Sequence, residues 1–313
     1  MSFYQRLTFG QTLVRCDLFE KACDHTYWSN LHPYTNNHFQ AGDVVFCKTD
    51  EVLRLFEHLR LTRKRIVLVT GESDIPCDFF RQQFLPLNVE RWFAANVTHP
   101  HPKVTALPLG LGAERDLVTL NLTETTWCQN KNAPRDQWLY INFRPETNPK
   151  VRQKIYDTFK LRAQQEKWMT FESPRGHGNN EEFLTQLRRH RFVLAPPGNG
   201  IDTHRLWEAL ALGAYPVALR SALLESFEAL PILFVNHYEE VTLDFLKASL
   251  EQLEEKRKNY SLLQMSYWEK KIHEAQSDFS NQKMLSWSKW LQESFCYGVG
   301  MIQRKIHEHR TKH

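Results

Sequence analysis

No run of 18 apolar residues occurs anywhere in the 313 positions, so the sequence offers no candidate membrane-spanning helix. The opening residues, MSFYQRLTFGQTLVRC, lack the apolar core and small-residue cleavage site of a secretory signal, and the expectation is a soluble, cytoplasmic protein. Six cysteines (Cys16, Cys23, Cys47, Cys77, Cys128 and Cys296) include no C-x-x-C pair and no zinc-type spacing. They read as free, mostly buried thiols of a reducing compartment rather than as a disulfide framework. His25, His32 and His38 are not at the short helical spacing of a metal site, and no metal is expected. Charge of neither sign dominates: 40 Lys and Arg stand against 36 Asp and Glu, interleaved along most of the chain. A nucleic-acid binder of this size carries a basic block or stripe, so nucleic acid is not an expected partner. The mildly basic C-terminal residues (Arg304, Lys305, His307, His309, Arg310, Lys312 and His313) read as a solvated helix end. There is no internal repeat and no low-complexity linker. Three N-x-S/T sequons, at Asn96, Asn121 and Asn259, are taken as chance matches, because no secretion signal accompanies them.

What remains is a folded-domain composition, 42% apolar and 24% charged, with length for one large domain or two ordinary ones. The many aromatic residues are assigned first to a large core. Residues 43–47 (DVVFC) and 65–70 (RIVLVT) are short apolar runs flanking EVLRLFEHLRLT, whose apolar residues fall at helical spacing. That is a β-α-β pattern with a parallel sheet. Further strands are expected at 89–94 and 104–109. Residues 113–137 are polar, and a boundary is placed near Arg135. A second series follows: a strand at 138–143, a helix at 148–165 with Pro149 in its first turn, a strand at 168–172 and a helix at 181–190. The strand expected at 191–196 is almost continuously apolar, as in a sheet covered on both faces. A helix at 204–213 ends on Gly213, strands follow at 215–219 and 232–236, and the chain reads as helical from 242 onward. The pattern predicts an α/β fold of two Rossmann-like domains facing a cleft. Residues 1–135 would form the N-terminal domain, and 136–313 the C-terminal domain with a helical tail.

The most informative stretch is RFVLAPPGNGIDTHRLWEALALGAYPVAL, residues 191–219. A buried strand runs into a loop of Pro196, Pro197, Gly198, Asn199 and Gly200, and a helix then opens at Asp202 or Thr203, either of which can serve as N-cap. A helix start presents unpaired N–H groups and the positive end of the helix dipole, and glycines let a phosphate approach the backbone closely. Arg205 in the first turn can add a charge-assisted bond to a diphosphate. Glu208, three residues on and on the same helix face, can accept the two hydroxyls of a ribose.

These residues also carry a resemblance. Pro196, Gly198, Gly200, Asp202, Thr203, His204, Arg205, Trp207, Glu208, Ala209 and Leu210 follow the Pro-x-Gly-x-Gly-x-Asp-(Ser/Thr)-His-Arg-x-(Trp/Phe)-Glu-Ala-Leu pattern of exostosin-like enzymes, the glycosyltransferase family 47 type. The match is firm over about thirty residues. It is looser over roughly 65–240, through GESD (71–74), ALPLGLG (106–112) and NFR (142–144). The resemblance implies a GT-B-like fold, a nucleotide-sugar donor, UDP-linked in preference to GDP-linked, and inverting transfer to a glycan or glycoconjugate hydroxyl. It also implies no tightly bound cofactor or metal. The donor contacts would be Pro197, Gly198, Asn199, Gly200, Asp202, Thr203, His204, Arg205 and Glu208, with Arg144 and Arg175 as further basic groups. The general base is sought where a parallel strand ends across the cleft, at GESDIP: Asp74 first, Glu72 second. The aromatic, His and Asn mixture of residues 24–39 offers Trp28, His32 and Tyr34 as acceptor contacts. Enzymes of this type are usually held in secretory membranes by an N-terminal span, which has no counterpart here, and the acceptor stays open. So do two alternatives on the same architecture, a catalytically inactive sugar- or nucleotide-binding protein and a phosphorylase or epimerase.

Overall fold

The computed structural model describes residues 12–27, 39–112, 134–173, 180–257, 260–278 and 284–295. Two five-stranded sheets dominate it, and every strand pairing in both is parallel. The first holds β1 (His25–Tyr27), β2 (Val44–Lys48), β3 (Ile66–Gly71), β4 (Val89–Ala94) and β5 (Val104–Ala106), in the order 1-2-3-4-5. The second holds β6 (Gln137–Ile141), β7 (Met169–Phe171), β8 (His190–Leu194), β9 (Tyr215–Leu219) and β10 (Leu233–Val235), in the order 10-9-8-6-7. The α/β class expected from the apolar runs is therefore what the chain adopts. β3 shows why. Its residues 66–70 are all buried, so the strand is covered on both faces and cannot alternate polar with apolar.

The helices are α1 (Cys16–Lys21), α2 (Val52–Arg60), α3 (Phe79–Gln82), α4 (Pro149–Gln165), α5 (Asn180–Arg189), α6 (His204–Ala211), α7 (Ala222–Glu225), α8 (Leu243–Lys256) and α9 (Met265–Asp278). α2 buries Val52, Leu55, Phe56 and Leu59, spaced to form one stripe against the first sheet, with the Phe56 ring edge-on to Trp92 of β4 at 5.4 Å. α6 ends, as anticipated, ahead of Gly213, whose φ of 77° only glycine adopts without strain. The C-terminal helices are not a simple tail on the second half: α9 packs on β2, β3 and β4 of the first sheet. Its Trp268 meets Phe227, and Phe227 meets Trp207 of α6, at 6.1 and 5.1 Å, so one aromatic chain runs from one half into the other. The segment 24–39, offered above for acceptor contacts, begins with the edge strand β1. Its three residues carry too short a pattern to be seen in the sequence. None of the four described cysteines is in a disulfide, and Cys47 and Cys77 are buried; Cys128 and Cys296 lie outside the described residues. Asn96 is buried, so its sequon is closed to modification in the folded chain, whereas Asn121 and Asn259 lie outside the described residues.

Candidate active site

The carboxyl ends of the two sheets enclose a cavity of about 650 Å³. Its first wall comes from Lys48 at the end of β2, Glu72, Ser73 and Asp74 after β3, Leu109 and Gly112 after β5, and Cys16 at the start of α1. The second comes from Thr147 and Arg152 around the start of α4, Gly198, Asn199 and Gly200 after β8, and Asp202, Thr203, His204 and Glu208 at the start of α6. The carboxyl ends of parallel strands at the meeting of two sheets are where ligands of such folds bind.

The glycine loop is held from behind by a residue that the sequence did not single out. Arg152, on the first turn of α4 and 5% exposed, donates from Nε to the Pro197 carbonyl (2.8 Å) and from Nη2 to the Pro196 carbonyl (2.8 Å). Its Nη1 donates to the Arg144 carbonyl (3.1 Å) and to Thr147 Oγ1 (2.5 Å). The Asn148 amide adds a bond to the Gly198 carbonyl at 2.9 Å. A Cβ on Gly198 would stand 3.1 Å from Arg152 Nη2, so the glycine lets the guanidinium edge reach the loop. Burial, first, and the nearby Arg205 charge, second, push the Arg152 guanidinium down to about 10. This corner of the cavity therefore concentrates positive charge.

At its far end the same loop is clamped to the first half. Asn96, at φ 53° in the left-handed region, donates from Nδ2 to the Ser73 carbonyl (3.0 Å) and accepts the Asp202 N–H on Oδ1 (3.0 Å). A Cβ on Gly200 would lie 3.0 Å from that amide oxygen. The Asp202 carboxylate accepts the N–H groups of Leu109 (2.8 Å) and Thr203 (2.8 Å) and the indole N–H of Trp207 (2.8 and 2.9 Å). Desolvation lifts its pKa from 3.8 to about 6, against the pull of those donors. His204 Nδ1 pairs with the Gly110 carbonyl at 2.7 Å. Gly110 itself has φ 71°, and a Cβ there would come within 2.6 Å of the Val14 carbonyl oxygen.

The expected donor residues thus divide. Gly198, Asn199, Gly200, Thr203 and Glu208 line the cavity, with Thr203 as the N-cap of α6 but without a side-chain capping bond. Asp202 and His204 reach it too, with carboxylate and ring engaged in joining the halves. Arg205 is turned toward Phe183, its guanidinium 5.5 Å from that ring; its Nε is buried without a hydrogen-bond partner. Burial lowers its pKa, with Glu208 and Tyr140 opposing the shift. Pro197 and Arg144 contribute backbone carbonyls to the Arg152 fork. Of the two carboxylates proposed as base, Glu72 has φ 48°, a strained geometry for a non-glycine residue, and Asp74 is exposed at the cavity edge. Asp74 does not cap the next helix: Asp78 does, accepting the Arg81 N–H at 3.0 Å. Arg175, Trp28, His32 and Tyr34 lie outside the described residues. Lys48, Asn96, Asn148 and Arg152 were missed. Residue type alone did not separate them: Asn readily enters the left-handed region, which Asn96 does at φ 53° and Asn148, at φ -158°, does not. Among the described residues no group of three or more His, Cys, Asp or Glu is arranged to hold a metal ion, and no helix is long and apolar enough to cross a membrane.

No family model and no curated protein matches this chain. Among solved structures it is similar to the GtfA/B complex, at 14% identity over 77% of this chain and 58% of that one, with a TM-score of 0.40. It is also similar to the UDP-GlcNAc 2-epimerase from Methanocaldococcus jannaschii, at 13% identity over 75% of this chain and 77% of that one, with a TM-score of 0.37. A third similarity is to trehalose-6-phosphate from E. coli bound with UDP-2-fluoro glucose, at 13% identity over 79% of this chain and 74% of that one, with a TM-score of 0.40.

Proposed function

We propose that this protein is an inverting glycosyltransferase of the exostosin-like type, moving a sugar from a UDP-linked donor to a hydroxyl of a glycan or glycoconjugate. The observation that supports it best is the composition of the two cavity walls: an anion-binding loop and helix start, backed by buried arginine, face two carboxylates. In this proposal the diphosphate lies against residues 198–200 and the first turn of α6, where glycine allows close approach and the helix end supplies partial positive charge. Arg152 and Arg205 repel each other across this corner, and a bound diphosphate relieves that repulsion. Glu208 accepts the ribose hydroxyls.

Transfer then needs a base opposite the leaving group. Asp74, or Glu72 beside it, takes the acceptor proton as the acceptor oxygen attacks the anomeric carbon from the face opposite the diphosphate. The new C–O bond forms as the bond to the diphosphate oxygen breaks, and that oxygen's negative charge is met by the helix start, Arg152 and Lys48. The proposal calls on no metal ion for this step. It assigns residues 1–135 to the acceptor side and 136–313 to the donor side, with α9 returning to the first.

Titrating the full chain calorimetrically with UDP and with GDP tests this directly, beside Arg205→Ala and Glu208→Ala. UDP is expected to bind, and Glu208→Ala to bind it more weakly by about tenfold or more, one lost charge-assisted bond being worth roughly 1.5–3 kcal/mol, whereas Arg205, turned toward Phe183, acts through its charge alone and its removal is expected to cost less. Release of UDP from a UDP-sugar panel then separates an active transferase from an inactive binding protein. Failure of folded protein to bind either nucleotide would overturn the proposal.

A further inference from the structure

The cavity wall holds one side chain whose backbone geometry works against it. Glu72, the first residue after β3, has φ 48°. Among the described residues, Asn96 is the one other non-glycine in this left-handed region, and its residue type tolerates it. Glutamate brings a Cβ that crowds the following carbonyl oxygen there. Gly71 stands immediately before and carries no such cost, yet it stays in the strand, paired in the β2–β3 ladder with Lys48. The left-handed turn thus falls on the residue with the carboxylate. Its neighbours enforce it. On one side Thr70 accepts the Trp92 indole N–H on Oγ1 at 2.9 Å and the Ala95 N–H on its carbonyl at 3.0 Å. On the other, Ser73 accepts the Ile75 N–H on Oγ at 3.0 Å and the Asn96 amide on its carbonyl at 3.0 Å. Asn96 also receives the Asp202 N–H, so the pin that fixes this turn is the one that holds the glycine loop opposite.

Strain persists where the surroundings over-determine it, and it gathers where one side chain must stand in one place. A general base has that need, because its carboxylate must lie within hydrogen-bond reach of the proton it removes. Glu72 and Asp74 both line the cavity, but Glu72 is half-buried and Asp74 exposed. We propose that Glu72, rather than Asp74, is the catalytic base of the transfer described above, on which reading its role depends, and that the left-handed turn at residue 72 presents its carboxylate to the cavity. The acceptor O–H proton passes to the Glu72 carboxylate as the acceptor oxygen bonds to the anomeric carbon. The bond from that carbon to the diphosphate oxygen breaks in the same step, and UDP leaves with its electron pair. Glu72 then releases the proton to water.

Glu72→Gln, Glu72→Gly and Asp74→Asn in the full chain test this. The rate is UDP release with water as acceptor, from whichever of UDP-glucose, UDP-galactose, UDP-N-acetylglucosamine, UDP-xylose and UDP-glucuronate the wild type hydrolyses fastest. UDP affinity and the thermal unfolding midpoint are measured beside it. Glu72→Gln is expected to slow release by about 100-fold or more with UDP affinity retained, and to lose the fall in rate at acid pH that reports the base. Glu72→Gly is expected to be as slow, yet to unfold about 2 °C or more higher, because glycine removes the cost of the left-handed turn. Asp74→Asn is expected to slow release by no more than about fivefold, the reach of one exposed charge. Release by Glu72→Gln within fivefold of wild type, or by Asp74→Asn as slow as by Glu72→Gln, would overturn the assignment while leaving the transfer reading intact. A lowered midpoint in Glu72→Gly would overturn it too, since the strain is what singles out Glu72. Wild-type protein that binds no UDP, or releases none from any of these donors, would instead overturn the transfer reading, and the base with it.

Discussion

Arg152→Met is the substitution that tests most of the candidate site at once. Methionine keeps the unbranched stem and removes the fork. Three backbone carbonyls, of Pro196, Pro197 and Arg144, and the Thr147 hydroxyl then lose a cationic donor. Hydrogen bonds to charged groups are worth about 1.5–3 kcal/mol each, but two effects offset the sum. The buried guanidinium is itself costly, as its lowered pKa records, and carbonyls at the cavity edge can turn to water. A net loss of about 2–4 kcal/mol is expected, read as a fall of roughly 1 M in the urea midpoint followed by tryptophan fluorescence. Arg152→Lys retains the charge without the fork and is expected to fall between the two. In the same proteins UDP affinity is expected to drop by about tenfold or more in the methionine variant, since both the loop's shape and a positive charge are lost. A methionine variant with the wild-type midpoint would show that the fork does not hold the loop. A wild-type UDP affinity in a destabilised variant would show that the loop does not hold the nucleotide.

Three further outcomes follow from the clamp between the halves. Asn96→Asp keeps the acceptor for the Asp202 N–H and sets an oxygen against the Ser73 carbonyl, 3.0 Å away. It is expected to leave UDP affinity nearly unchanged in calorimetry while slowing UDP-sugar turnover by about tenfold or more, as misplacing a reacting group does. Gly110→Ala forces a Cβ to 2.6 Å from the Val14 carbonyl oxygen at a φ of 71°, and a loss of about 2–4 kcal/mol is expected in thermal or urea unfolding. The third is a pH dependence. The folded pKa of Asp202 is raised from 3.8 to about 6, so between those values the folded chain holds a proton that the unfolded chain has lost. Stability contributed by this group therefore rises as pH falls from 7 through 6 toward 4, by on the order of 3 kcal/mol. The difference between wild type and Asp202→Asn isolates it from carboxylates such as Asp17, whose lowered pKa acts in the opposite direction. A difference flat across that range would refute the assignment.

The parts of the fold legible in the sequence were those where one physical pattern fills a whole element. β3 is an apolar run over Ile66–Val69, and Phe192–Leu194 of β8 is another, because both faces of a parallel strand are covered. The stripe of α2 and the stop at Gly213 were equally plain, the first from spacing and the second from backbone geometry. The return of α9 to the first sheet was not legible, because an amphipathic helix records that one side is buried and not against what. The loop at 196–200 and the helix that follows it were legible from Pro and Gly, as was its place at the end of a buried strand. Its support was not. Arg152 sits in a helix turn otherwise indistinguishable from a solvated one, and its role depends on the loop after β8, whose Pro197 lies 45 residues later in the chain, meeting the start of α4.

The same distinction bears on the motif itself. Of the residues from 196 to 210 that carry the resemblance, several use their chemistry on the protein. The Asp202 carboxylate is engaged by Leu109, Thr203 and Trp207, His204 by Gly110, and Trp207 is buried in the aromatic chain that reaches Trp268. Gly200 is small because Asn96 crosses above it. These positions would be required in any protein that holds two such halves in this arrangement, whatever the cavity binds. Loss of activity on substituting Asp202 or Trp207 would therefore leave the ligand unidentified, since the clamp and the core would fail first. Glu208 and Asp74 are different, being side chains on the cavity walls whose removal leaves the clamp bonds in place. Nucleotide binding that survives Asp74→Ala and is lost with Glu208→Ala, in proteins of wild-type stability, would separate the donor side from the acceptor side. The reverse pattern would exchange the roles of the two walls.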